Sequence, residues 1–524
     1  MTTRLRIGNG TGWTFLNGQW TDGDRGELIP PDGGGKEYIA VAHGQEYADL
    51  TATFRFKFRS GFAGVRLLFR LQDMMRYYAL DIPWGGQQNR NRHFWAGIVV
   101  ADGSPLQRYL QLGLVLGVCP EHERWYEAHV ECRGSRIRTW IEGRPVADIQ
   151  DTTYTTGRVG LMAAVTAVRE SPHFVDLEVE GTPFGPSSWR GLDPPPQHWI
   201  TPCCEVDPDA YQSYPNVIKS RSGSLTVQIP FGNPNQGEVR RTVTVQSTDG
   251  GRTFSAPQPA TLPQGFGAPF VRQDGTWVCV HGREKVPIDQ ALYTVESHDE
   301  GHTWSDAKPL HVIGEWPKEF SLPAYPSGRP LRLRDGTLLV TAYCTVDGVA
   351  TNFVFRSTDD GMTWAAPVRC DRNNTRHAQW FCPANFSELG LAEVTDNVIL
   401  GYGRPGPWPY MWQVQSHDGG QTWQPAAFGS FPGYCITLTR TTSGALVAIH
   451  RFPYLTANVS YDGGRTWAAG TIIDYPAWAN HHALEVEPDV VLVVYMGHIV
   501  EKGQPDTRVL RLRVTGHGLE VDRS

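Results

Sequence analysis

At 524 residues the chain is too long for a single hydrophobic core and calls for about two to four domains. Charged residues make up 19% and apolar residues 40%, which excludes a disordered chain, and a net charge of −7 favours neither nucleic acid nor an anionic membrane as partner. The 56 Gly, 38 Pro and 18 Trp against 7 Met describe short strands joined by tight turns, and argue against helix bundles and α/β barrels.

The opening Met1–Ile7 lacks an apolar signal core, and no run of 18 apolar residues follows. The expectation is a cytoplasmic protein, or a secreted one whose leader is absent from this sequence, with no transmembrane segment. The nine cysteines are scattered without a CxxC and read as buried thiols on strands. No dense metal-ligand spacing occurs, so neither metal nor cofactor is expected.

The first third predicts a β-sandwich. Phe54-Arg-Phe-Lys-Phe-Arg59 alternates as a half-buried strand should. Apolar runs follow at 65–71, 77–82, 125–131, 136–141 and 175–179, several separated by turns such as Cys132-Arg-Gly-Ser135 and Glu142-Gly-Arg-Pro145. Residues 1–182 resemble concanavalin-like jelly-roll modules, which implies a lectin-like sandwich. Five prolines between Pro183 and Pro196 mark a linker over 183–199.

Residues 200–524 carry an internal repeat of the form S-x-D-x-G-x-T-[WF]. Its copies begin at Ser247, Ser297, Ser357, Ser416 and Ser460, and their aspartates are 50, 60, 59 and 44 residues apart. Asp and Ser can cap the turn's own amides, Gly can take positive φ, and the aromatic can bury itself between repeats. The box is therefore a hairpin staple rather than a catalytic motif.

These boxes match the Asp-box (BNR) repeats of the sialidase superfamily. That resemblance implies a six-bladed β-propeller, and six strand pairs from Val217/Leu225 to Leu484/Leu492 support it. The fold class expected is all-β, a jelly-roll sandwich followed by a six-bladed propeller.

A propeller enzyme builds its site from lead-ins to the innermost strands and from second-strand exits. The lead-ins offer Tyr214, Arg329, Glu388, Tyr434, His481 and His482. The exits offer His281, Arg283, Tyr343, Arg404, His450, Arg451 and His498. Such a ring suits an anionic or polyhydroxylated ligand, because Arg pairs a carboxylate bidentately. Trp408 and Tyr410 lie on a Pro-rich loop beside Arg404 and offer faces for sugar stacking. Asp209 is a candidate for a missing acid.

By resemblance to sialidases, Glu388 stands where the activating Glu sits and Arg404 where one of three carboxylate-binding Arg sits. The chain departs elsewhere. Gln212-Ser-Tyr-Pro215 lacks the family's first Arg, and the nucleophilic Tyr is replaced by His481. Related propellers, the rhamnosidases and rhamnose–glucuronate lyases, use a single His at the mouth.

Catalysis is accordingly assigned to His481, Glu388 and His482. Substrate binding falls to Arg404, Arg451, Arg283, His450, Tyr214, Tyr434, Trp408, Tyr410 and Asp209. Strand alternation lets only one of His450 and Arg451 face the channel. The expected partner is an oligo- or polysaccharide, with dimers through the sandwich left open. Three functions compete: an exo-acting glycoside hydrolase on an anionic or deoxy-sugar terminus, a polysaccharide lyase acting at a uronate, and a non-catalytic carbohydrate-binding propeller.

Overall fold

The computed structural model describes residues 2–3, 12–24, 26–32, 37–59, 63–83, 93–165, 170–184, 191, 193, 196–207, 210–233, 238–261, 269–282, 285–372, 384–406, 409–475, 481–500 and 504–523. Strands dominate it, and one short 3-10 turn, Ile288–Gln290, is the helical element among these residues. No helix of the described residues is long and apolar enough to cross a membrane.

The N-terminal strands form two antiparallel layers. One sheet runs Arg144–Gln150, Arg136–Ile141, Trp125–Arg133, Glu46–Lys57, His173–Phe184, Leu28–Ile29 and Thr21–Asp22. The other starts with Trp13–Leu16, Glu37–Ala42, Arg158–Val165, Ala63–Asp73, Arg76–Pro83, Phe94–Asp102 and Gln107–Leu116. Phe54, Phe56 and Phe58 point inward from the first layer and meet Leu67, Leu80 and Ile98 of the second in one core. The intervening Arg55 and Lys57 stay half-buried on the outer face, as the alternation requires.

From Asn216 onward, four-stranded antiparallel sheets follow one another. Five stand as separate units, with innermost strands Asn216–Lys219, Phe270–Val271, Tyr325–Arg332, Phe386–Thr395 and His481–Glu487. Leu225 and Val227 of the first unit pack against Leu484 and Leu492 of the last, so the ring closes as a propeller.

The expected six separate blades are not what forms. The strands Ile436–Arg440, Leu446–His450, Leu455–Ser460 and Thr471–Asp474 lie in the ring between the fourth unit and the last. They pack Leu446 against Leu400 on one side and Val447 against Val491 on the other. Their outermost strand pairs with the N-terminal domain, Arg108 opposite Thr471 and Gln107 opposite Ile472. One eleven-stranded sheet therefore runs from the sandwich into the propeller. Two sheet edges that would each expose unpaired N–H and C=O groups satisfy one another.

A buried polar cluster stands beside this seam. Arg66 Nε donates to Asp81 Oδ1 at 2.6 Å, and its Nη1 donates to Gln107 Oε1 at 2.8 Å and to the Tyr475 hydroxyl at 2.6 Å. Tyr109 and Tyr454 donate to Asp81. Tyr454 and Tyr475 come from the propeller half, and the other members come from the sandwich. Arg66 and Asp81 are fully buried.

Each of the five boxes folds alike. The serine hydroxyl donates to the aspartate and accepts the glycine N–H four residues on, at 2.8 Å in the first box and 2.9 Å in the last. The threonine hydroxyl donates to the other carboxylate oxygen, at 2.6 Å in Thr253 and Thr466. The aspartates are thus committed to their own turns.

Candidate functional site

The boxes supply a register for the channel mouth. Leu338, Ile399 and Leu446 each pair with a box serine, Ser357, Ser416 and Ser460. Five residues on (338 + 5, 399 + 5, 446 + 5) stand Tyr343, Arg404 and Arg451. Each meets the lead-in of its own repeat: Tyr343 opposite Tyr325, Arg404 opposite Ser387, and Arg451 through its N–H to the Tyr434 carbonyl at 3.1 Å. The same count from Leu225 and Trp277 falls on Pro230 and Gly282, so the first two repeats bring no charge to this level.

The lead-ins share a second feature. Tyr214, Glu388 and Cys435 hold φ of 45°, 52° and 52°, the left-handed region that side chains other than glycine rarely adopt. A bulge between Ser387 and Gly390 accompanies it in the fourth repeat. Such strain clusters where a side chain must be aimed.

These residues converge. Arg404 Nη1 donates to Glu388 Oε1 at 2.6 Å, and its Nη2 donates to the Tyr434 hydroxyl. The Cys435 thiol donates to Glu388 Oε2 at 2.6 Å. Arg404 stacks over the Tyr434 ring at 3.8 Å and Arg451 at 4.8 Å. Burial opposes ionisation of Glu388, but Arg404, Arg451 and the Cys435 thiol outweigh it and hold the carboxyl below its usual range. Burial pushes the Cys435 thiol up to about 12, so it stays protonated. Tyr343 also stays protonated, raised by burial and by Glu388. Among the described residues, two guanidinium groups thus act on one carboxylate.

The sandwich reaches this cluster. Trp95 is fully buried and packs with Tyr434 and Phe452, its ring edge-on to Phe452 at 5.7 Å and to Tyr410 at 5.6 Å. Tyr410, expected as an open stacking face, is therefore turned against the N-terminal domain.

The other expected residues go elsewhere. His481 Nε2 bonds the Ile449 carbonyl at 2.8 Å, while the Glu388 carboxylate is taken by Arg404 and Cys435. The expected His481–Glu388 acid–base pair is not assembled, because strand alternation turns His481 toward the neighbouring repeat. His482 lies on the opposite face, and burial, Arg329 and His481 push its pKa down to about 3. His450, one residue short of the mouth register, faces into the blade. Its Nε2 bonds Asn458 Oδ1 at 2.6 Å, its ring stacks on Phe431, and burial lowers its pKa to about 4. It is buried in the core of its blade. His281 is off register in the same way. Tyr214 sits at a lead-in of the first repeat. Arg283, Trp408 and Asp209, and the side chain of His498, lie outside the described residues.

Sequence reasoning passed over Cys435, grouped with inert buried thiols. Its signal was position: it directly precedes the innermost strand Ile436–Arg440, as Glu388 precedes the paired run from Gly390.

Residues 7–191 match a family described as a 3-keto-alpha-glucoside-1,2-lyase-like domain, and residues 288–474 match one described as a BNR repeat-like domain. The propeller half carries a BNR repeat. This bears out the resemblance on which the boxes were read. Among solved structures, a protein of unknown function from Dyadobacter fermentans is similar over 61% of this chain and 98% of its own, with 18% identity and a TM-score of 0.47. The NanB sialidase from Streptococcus pneumoniae is similar over 93% and 99%, with 11% identity and a TM-score of 0.45. A carbohydrate-binding module, CBM66, from Bacillus subtilis is similar over 33% and 96%, with 19% identity and a TM-score of 0.26. No curated protein matches this chain.

Proposed function

We propose that the protein is a glycoside hydrolase that removes an anionic sugar from the end of a glycan, with its site at the Glu388–Arg404–Arg451 cluster. The observation that carries this reading is the pair of arginines at one register of adjacent repeats, flanking the Tyr434 ring. Guanidinium groups so placed suit a sugar carboxylate, which arginine can pair bidentately. Glu388 stays ionised near neutral pH, oriented by the Cys435 thiol that donates a hydrogen bond to it, and would take a proton from water in the role of a general base. His481, bonded to a backbone carbonyl, and His482, kept neutral by burial, are left out of this reading, although the sequence had assigned catalysis to both.

A second reading is β-elimination at a uronate. The lyase-like family that matches residues 7–191 favours it. There the arginines would neutralise the carboxylate and stabilise the enolate that forms when Glu388 removes the α-proton. The enolate would then expel the glycosidic oxygen from the β-carbon, leaving a C=C bond, and water would protonate the departing sugar.

The test is a panel of glycans ending in uronic, sialic or neutral sugars, assayed for released sugar and for absorbance near 235 nm, where the unsaturated uronate absorbs. Release without absorbance from an anionic terminus supports hydrolysis, and an absorbance rise supports elimination. No product from any anionic substrate, or undiminished turnover in Glu388→Gln, overturns the assignment.

A further inference from the structure

At the mouth register the third repeat brings a ring rather than a charge, and a second ring stands beside it. Tyr325 opens the innermost strand of that repeat and lies directly opposite Tyr343. The two rings are 5.3 Å apart at 34°. Tyr343 belongs to the cluster already described, since Glu388, Arg404 and Cys435 all act on its hydroxyl. Tyr325 stands further out. It is 41% exposed, against 18% and 31% for the Arg404 and Glu388 side chains. The other exposed tyrosine among the described residues, Tyr461, lies in a box turn and donates to the Thr515 carbonyl at 2.6 Å.

The outer ring is carried on rigid backbone. Pro326 follows it and restricts Tyr325 to an extended conformation. Beside this lead-in stands Gly282, the mouth-register residue of the second repeat, where a Cβ would come within 1.9 Å of the Ala324 carbonyl oxygen. The missing side chain lets the segment from Ala324 to Pro326 close onto the neighbouring repeat. The position that brings no charge to the mouth is thus the one that seats Tyr325.

Depth orders these groups. A terminal sugar held by Arg404 and Arg451 lies in the recess, and the sugar joined to it must pass the rim. The face of a tyrosine ring carries partial negative charge and disfavours a second carboxylate, while the CH face of a neutral pyranose packs on it. Tyrosine offers that area with few rotamers to freeze.

We propose that Tyr325, backed by Tyr343, is a stacking platform for the neutral pyranose joined to the anionic terminal sugar. This rests on the carboxylate-binding reading of Arg404 and Arg451. It makes the protein selective for the two sugars together rather than for the acid alone. The stacking face expected of Tyr410, which is turned against the sandwich, is supplied by the third repeat instead.

Crystals of the full chain soaked with thio-linked disaccharides, glucuronic or sialic acid joined to galactose, test this without cleavage of the probe. The galactose is expected face-on over the Tyr325 ring. Galactose lying elsewhere, or no bound disaccharide, overturns the proposal. In solution, Tyr325→Ala should weaken the disaccharide by about 10-fold in calorimetry and leave the methyl glycoside of the same acid unchanged. Tyr325→Phe keeps the ring and should keep the affinity. Equal losses on both ligands, or none on either, overturn the platform. Should Tyr325→Ala fail to fold, the soaked wild-type crystals decide alone. Turnover on the glycan panel is read separately. Cleavage of an anionic glycan with galactose away from Tyr325 keeps the hydrolase and loses the platform, and galactose over Tyr325 without any cleavage does the reverse.

Discussion

Arg66→Met cuts the buried cluster that joins the two halves. The guanidinium makes three hydrogen bonds between 2.6 and 2.8 Å and is fully buried, so nothing but protein replaces what it loses. Removing one partner of a buried ion pair costs about 3–5 kcal/mol, because the other charge remains uncompensated. Here Asp81 keeps donors from Tyr109 and Tyr454, so the loss should fall near the lower end, about 3 kcal/mol. Asp81→Asn in the same background removes the orphaned charge and should recover about 1–2 kcal/mol. Urea unfolding followed by tryptophan fluorescence and far-UV circular dichroism measures both. The single variant should also separate the two signals, since Tyr475 loses its bond to Arg66 and keeps Gln107 across the seam. A loss below about 1 kcal/mol, or a double variant whose effects simply add, would refute the claim that this pair fastens the seam.

Arg451→Met should raise KM for an anionic substrate by about 10- to 100-fold, the worth of one charge-assisted hydrogen bond, and leave a neutral analogue unaffected. Equal effects on both would exclude carboxylate binding. Gly328→Ala should cost about 1–3 kcal/mol, because φ is positive and the new Cβ meets a backbone oxygen; thermal unfolding checks it. The box aspartates give a pH dependence. Against burial, Thr303 and Ser297 hold Asp299 down at about 2, and the other four are lowered likewise. A depressed folded pKa means a contribution complete above the unfolded value near 3.9 and lost as pH falls through the folded one. The urea midpoint contribution from these groups should hold from pH 7 to 5 and fall between about pH 4 and 2, and Asp299→Asn should flatten that slope. Trp95→Leu should change kcat or KM through Tyr434 although it lies in the sandwich; unchanged kinetics would confine the site to the propeller.

Local chemistry was the legible part of this sequence. The boxes name their own turns, since Ser, Asp, Gly and Thr satisfy one another within eight residues. The same boxes, through the residue opposite each serine, also carry the mouth register that puts Arg404 and Arg451 side by side. That count distinguishes Arg451 from His450, which composition alone cannot. What stayed hidden depends on contacts between distant segments. Nothing near Tyr410 announces Trp95, more than 300 residues earlier in the chain. Nothing near Thr471 announces Arg108. The direction of His481 was hidden for a related reason: a motif position says which residue leads into a strand, while the pleat decides which way it points.

The shared sheet bears on how the protein can be divided. Cut between Phe184 and Ile200, the propeller half would bare the strand Thr471–Asp474 along the line where Gln107 and Arg108 now pair. The sandwich half would bare Gln107 and Arg108 in turn. Each fragment would carry an open template for another copy of itself, so separate expression invites self-pairing and aggregation. The N-terminal domain thus serves as the propeller's edge guard, whatever else it binds.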